Sequence, residues 1–72
     1  MANEPEILAA IPKSQNAEIR ITRTTYKNSP MIDVRVWAIP SGGTEYVRTR
    51  KGFTVAERNF PKFIQSIRSI EI

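Results

Sequence analysis

Seventy-two residues make one small domain, and with neither cysteine nor histidine among them the chain has no disulfide to staple it and no ordinary zinc site to organise it. A core of this size rarely stabilises a monomer by more than about 3–5 kcal/mol, so association into a dimer is expected. The net charge of +4 is concentrated in residues 18–52, which hold seven basic and three acidic side chains, while residues 1–17 are slightly acidic.

That excess of positive charge suits either a polyanionic partner or a solvated basic face, and charge alone does not choose between them. The lack of cysteine suits a reducing compartment. No apolar run approaches the ~20 residues of a membrane span. Met1–Glu6 is acidic and lacks the charged and apolar regions of an export signal. A soluble protein that is not exported and has no membrane partner is therefore expected, cytoplasmic, or nuclear if the source is a eukaryote.

In chain order, residues 1–5 read as frayed. Residues 6–11 form a short apolar run that Pro12 closes; it fits an edge strand, or a helical turn, and an edge is where proline belongs. Residues 13–16 read as a turn. From Glu18 to Tyr26 the chain alternates: Ile19 and Ile21 share one face, and Arg20, Thr22, Thr24 and Tyr26 share the other. Asn28-Ser29-Pro30 marks a turn, with Pro30 where the next strand starts.

Residues 31–39 carry the clearest period of two. Ile32, Val34, Val36 and Ala38 point inward, and Asp33, Arg35 and Trp37 lie between them on the outer face. Pro40-Ser41-Gly42-Gly43 is a turn signal. A fourth strand is predicted from about Thr44 to Val55, with Tyr46, Arg48 and Arg50 on one parity and Val47 and Phe53 on the other. Gly52 inside it predicts a bulge or a close backbone approach. Lys51 has the parity of the buried face and reaches the outer one only across such a bulge.

Beyond Ala56 the period changes to that of a helix, with Phe60, Phe63, Ile64, Ile67 and Ile70 on one stripe. Pro61 is tolerated only in the first turn, which puts the helix start at Glu57 or later, with Asn59 as an alternative N-cap. The predicted fold is α+β: a four-stranded antiparallel sheet followed by one C-terminal helix that covers its apolar face.

The uncovered face collects Arg20, Thr22, Thr24, Tyr26, Arg35, Trp37, Tyr46, Arg48 and Arg50. Cations follow phosphates and flat rings stack on free bases, at roughly 1–3 kcal/mol per base, which is what single-stranded nucleic acid requires. A duplex hides its base faces, and a broad sheet does not enter a groove as a helix does. Each residue has a plainer reading as well. Trp37 could pack beneath a dimer partner or a loop, Tyr26 and Tyr46 could be cross-strand packing residues, and Arg35 could pair with Asp33 or Glu18. A slip of one residue in register would reverse the faces. Catalysis has little support, because there is no histidine or cysteine and the acids are scattered. Gly42-Gly43 sits in a hairpin and not between a strand and a helix, so it is no phosphate loop.

The run Tyr26-Lys27-Asn28-Ser29-Pro30-Met31-Ile32-Asp33-Val34-Arg35, then Gly42-Gly43, then Arg50-Lys51-Gly52-Phe53-Thr54-Val55 and a helix, resembles the positive cofactor four family of transcriptional coactivators and their compact bacterial and bacteriophage relatives. The likeness covers about residues 18–67. It implies a homodimer of curved four-stranded sheets joined through the helices by Phe60, Phe63, Ile64, Ile67 and Ile70. It also implies non-sequence-specific binding of single-stranded DNA. By position, Tyr26 and Lys27 match aromatic and basic ligand contacts, Lys51 and Gly52 match a Lys-Gly contact, Arg35 a strand arginine and Trp37 an aromatic. Ala38 replaces a second aromatic, Ser29 a second basic residue, and the hairpin at 40–45 is one residue longer, so Arg48 matches approximately.

The expected activity is thus a non-enzymatic, cofactor-free, dimeric single-stranded-DNA-binding protein acting with replication, recombination or transcription proteins. Two other functions fit the same face: a protein-interaction subunit docking an acidic partner, and a single-stranded RNA chaperone.

Overall fold

The computed structural model describes residues 6–71, so the predicted fraying of residues 1–5 lies outside the described residues. Four antiparallel strands follow in sequence order across one sheet: β1 (Glu6–Ser14), β2 (Ala17–Tyr26), β3 (Ser29–Ala38) and β4 (Val47–Ala56). A 3-10 turn at Glu57–Asn59 leads into helix α1 (Phe60–Arg68). The predicted order of elements is the observed one.

The alternation read from β2 and β3 sets the faces. Ile19, Ile21 and Arg23 stand opposite Val36, Val34 and Ile32, while Arg20, Thr22 and Thr24 stand opposite Arg35, Asp33 and Met31. Directly opposed residues of an antiparallel pair share a face. One face is therefore apolar and the other polar and basic, in the predicted phase. Among the described residues Ile32 is the one fully buried hydrophobic side chain, at 1% exposure.

The strand ends depart from expectation for local reasons. Pro12 does not end β1, which continues to Ser14. As an edge strand β1 has a free side, so a missing N–H disrupts little, and the pairing is irregular between Pro12 and Ser14. Between β2 and β3 the turn is Lys27-Asn28, both with positive φ (49° and 65°), closed by Tyr26 opposite Ser29. Two positive φ values in a two-residue loop make a type I′ hairpin, whose twist matches that of the strands. Pro30 lies inside β3, just beyond the last residue paired with β4, so no ladder bond is lost there. The Pro40–Gly43 turn forms as predicted, Gly43 N–H donating to the Pro40 carbonyl at 2.9 Å.

Strand β4 starts at Val47, three residues later than predicted, and leaves Tyr46 in the preceding loop. The predicted bulge is present. Arg35 pairs with Gly52 and Trp37 with Arg48, so Thr49, Arg50 and Lys51 stand against Val36 alone. The Thr49 hydroxyl donates to the Val36 carbonyl at 2.7 Å and accepts from the Lys51 N–H at 3.2 Å, which pins the bulge. Gly52 adopts φ +155°, and a Cβ there would lie 2.4 Å from the Val34 carbonyl oxygen and 2.7 Å from the Arg35 Cα. Both neighbours are backbone of a central strand and cannot step aside. Gly52→Ala is therefore expected to lower stability by about 1–3 kcal/mol, read as a shift of the urea midpoint. An unmoved midpoint would show that the bulge relaxes without strain.

The helix is where the predicted packing fails. Pro61 sits in the first turn, as the sequence required, and the alternative N-cap, Asn59, is the one used, although its side chain makes no capping bond. But α1 does not lie across the sheet: it stays close to the 3-10 turn and runs along no strand. Phe63 meets Phe53 edge-on at 5.7 Å and stacks on Phe60 at 5.9 Å. Ile64 and Ile67, like Ile7 and Ile11 of β1, remain exposed, and Ile70 lies beyond the helix end. Even laid along the sheet, the helix would leave much of that face bare. Nine helical residues span about 14 Å, against about 33 Å for a ten-residue strand. Arg23 fastens the helix entry to the sheet, donating to Glu6 at 3.0 Å and Glu57 at 2.9 Å. Those carboxylates, Glu6 foremost, raise the guanidinium pKa above its ordinary value.

Candidate nucleic-acid interface

On the polar face a hollow of about 420 Å³ is lined by Thr22, Thr24, Thr25, Tyr26, Met31, Asp33, Trp37, Arg48 and Thr54. Its floor is the alternate set of β2 and β3 with Thr54 of β4. Thr22 belongs to it but is only 2% exposed, so its expected role as a ligand contact shrinks to forming the wall. Tyr26 closes one end at the hairpin and is 64% exposed, with the Lys27 ammonium 5.4 Å from its ring centroid.

At the other end the basic and aromatic residues are already engaged with one another. The Arg20 guanidinium lies 4.6 Å from the Trp37 ring centroid and 5.0 Å from that of Tyr46. Tyr46 comes to this cluster from the loop and not from a strand, so it joins the predicted company by a different route. Arg20 Nε donates to Glu18 Oε2 at 2.6 Å. Beside it, Arg35 grips Asp33, Nη2 to Oδ1 at 2.9 Å and Nε to both oxygens at 3.0 and 3.1 Å. Arg35 Nη1 also reaches the Thr49 carbonyl at 3.4 Å, tying the bulge to the cluster.

Arg20 and Arg35 face each other across the two central strands, and like charges so placed repel. Glu18 and Asp33, each two residues before its arginine on the same face, neutralise them. Arg48 approaches Asp33 at 3.6 Å while staying 54% exposed. Arg50 and Lys51 are exposed on the bulge. The predicted residues thus fall into an engaged pair, Arg20 and Arg35, and an outlying set, Lys27, Arg48, Arg50 and Lys51. Gly52 contributes close backbone approach and no side chain. Trp37 is half-buried on the predicted face, and its indole Nε1 is buried without a hydrogen-bond partner among the described residues.

The carboxylates Glu18 and Asp33 were not among the predicted site residues. A signal for them is present: an acid two positions ahead of an arginine in a strand shares its face. The predicted interface residues of the helix divide likewise. Phe60 and Phe63 are half-buried within the chain, and Ile64, Ile67 and Ile70 are 40%, 50% and 61% exposed.

A PC4 homolog from Burkholderia pseudomallei matches this structure with a TM-score of 0.78 at 25% identity, covering 94% of this chain and 90% of that one. The fold is that of PC4 homologues. A second crystal form of the same Burkholderia protein gives 0.76 at 26% identity, over 90% and 94% of the two chains. The bacteriophage T5 homolog of the eukaryotic transcription coactivator PC4, implicated in recombination-dependent DNA replication, gives 0.63 at 15% identity, over 89% of this chain and 70% of that one. No protein-family model and no curated protein sequence matches the chain. The PC4-like fold agrees with the family the motifs resemble, and in this chain its sheet leaves the basic aromatic face uncovered.

Proposed function

We propose that this protein binds single-stranded DNA without sequence preference, as a homodimer joined through its helices, in replication, recombination or transcription. One observation carries the reading: Tyr26, Trp37 and Tyr46 share an uncovered face with Arg20 and Arg48, with Lys27 beside Tyr26 at the hairpin and the exposed bulge residues Arg50 and Lys51 on the adjoining edge strand. Rings without cations would suit a protein partner, and cations without rings would suit any polyanion. Together they suit unpaired bases on a phosphate backbone. The PC4-like neighbours support a DNA-binding role, and the T5 homolog is implicated in recombination-dependent DNA replication.

The dimer is supported by what the single chain leaves uncovered. Ile7, Ile11, Phe53, Ile64 and Ile67 are each at least 40% exposed, against a fully buried core of one isoleucine among the described residues. Exposed apolar surface beside so small a core calls for a second copy. The test is a titration of labelled oligo-dT, its duplex counterpart and an RNA of the same length, with the mass of the protein measured alongside. Single-stranded DNA should bind tightest, to a dimer, and the emission of Trp37, the sole tryptophan, should change at saturation. Duplex bound as tightly as oligo-dT would overturn the reading, and RNA bound more tightly would replace DNA as its ligand.

A further inference from the structure

Arg20 and Trp37 cannot serve a nucleic acid independently, because one occupies the space the other would offer. The Arg20 guanidinium sits 4.6 Å from the Trp37 centroid and 5.0 Å from the Tyr46 centroid. A base stacking on this part of Trp37 needs the volume the guanidinium fills. What keeps the guanidinium there is Glu18, the cross-strand neighbour of Trp37, at 2.6 Å from Arg20 Nε. The two charged side chains are only 19% and 20% exposed, so water competes for them less than at an open surface. Both the cation–ring contacts and the ion pair favour the closed arrangement.

We infer that Glu18 is a positioning and specificity-determining residue that keeps this aromatic platform shut in the free protein. A base of single-stranded DNA enters by displacing the Arg20 guanidinium, which passes from the Glu18 carboxylate to a backbone phosphate. The inference rests on the single-strand reading proposed above. The exchange conserves charge pairing: Arg20 leaves one anion for another, and Glu18 returns to water. The incoming base takes over the ring faces of Trp37 and Tyr46, and its oxygens, or those of the backbone, offer an acceptor for the unpartnered Trp37 N–H. Duplex DNA can supply the phosphate but not the free base. It would draw Arg20 away and leave the slot empty, so the closed state discriminates against it.

Glu18→Gln keeps the side-chain shape and removes the charge. Glu45→Gln, exposed and adjacent to Tyr46 in sequence, removes the same charge from the neighbouring loop and serves as the control. In the full chain without DNA, quenching of Trp37 by acrylamide should rise at least twofold in Glu18→Gln and stay at the wild-type level in Glu45→Gln. Affinity for labelled oligo-dT should rise at least threefold in Glu18→Gln and by less in Glu45→Gln. Equal effects of the two substitutions on affinity would reduce Glu18 to background charge and overturn the proposal, as would an unchanged accessibility of Trp37 in Glu18→Gln. If no variant binds oligo-dT while Glu18→Gln alone exposes Trp37, the single-strand reading falls and the hold of Glu18 on Arg20 is upheld.

Discussion

Asp33→Ala is expected to cost about 3–5 kcal/mol, the typical loss when one partner of a buried ion pair is removed. In a domain whose whole margin is of that order, the variant should show no cooperative urea transition at room temperature. Asp33 is 3% exposed, under the centre of the polar face between Thr22 and Thr54. Its carboxylate holds Arg35 through both oxygens and draws in Arg48. With it gone, the 12% exposed Arg35 keeps only a 3.4 Å contact to the Thr49 carbonyl and faces Arg20 across the strands without its counter-charge. Two companions separate this cause from simple loss of packing. Asp33→Asn keeps an acceptor and should be damaged less, and Asp33→Ala combined with Arg35→Ala should be more stable than Asp33→Ala alone, since no stranded charge remains. If Asp33→Ala unfolds within 1 kcal/mol of the wild type, the ion cluster does not hold the sheet centre.

The same residues show how far the sequence could be read. Alternation in β2 and β3 is strict, so it alone places Arg20, Arg35 and Trp37 on one face, and the pairing of Thr22 with Asp33 keeps that phase. Strand β4 is different. Three residues, Thr49 to Lys51, oppose Val36 alone, and parity loses meaning across such a bulge. Gly52 flagged it but did not reveal its size, so the shared parity of Arg48 and Arg50 was not a shared setting. Tyr46 reached the predicted cluster through loop packing, which no period encodes. The helix stripe is apolar, yet periodicity shows only that a face seeks cover and not which surface supplies it. A nine-residue helix is too short to cover this sheet.

Binding to oligo-dT should weaken steeply with salt, and the slope should report which cations the protein has free to offer. Each phosphate neutralised on a single strand contributes about −0.7 to the slope of log affinity against log salt. Lys27, Arg48, Arg50 and Lys51 alone would give about −2.8 per site, or a loss of about fifty-fold when salt rises fourfold. Release of Arg20 to a phosphate would bring the slope to about −3.5 and the loss to about 130-fold. Arg35 is not expected to join them, because its hold on the buried Asp33 is bidentate and much of its guanidinium is already desolvated. The expected value therefore lies between about −2.8 and −3.5, measured by fluorescence anisotropy from 50 to 200 mM KCl, and Arg20→Gln should bring it to the shallow end. A slope shallower than about −1 would mean that the bulge and hairpin cations do not follow the backbone. One near −4.2 would mean that Arg35 leaves Asp33 as well, and the ion cluster at the sheet centre would then be part of the binding event and not a fixed support beneath it.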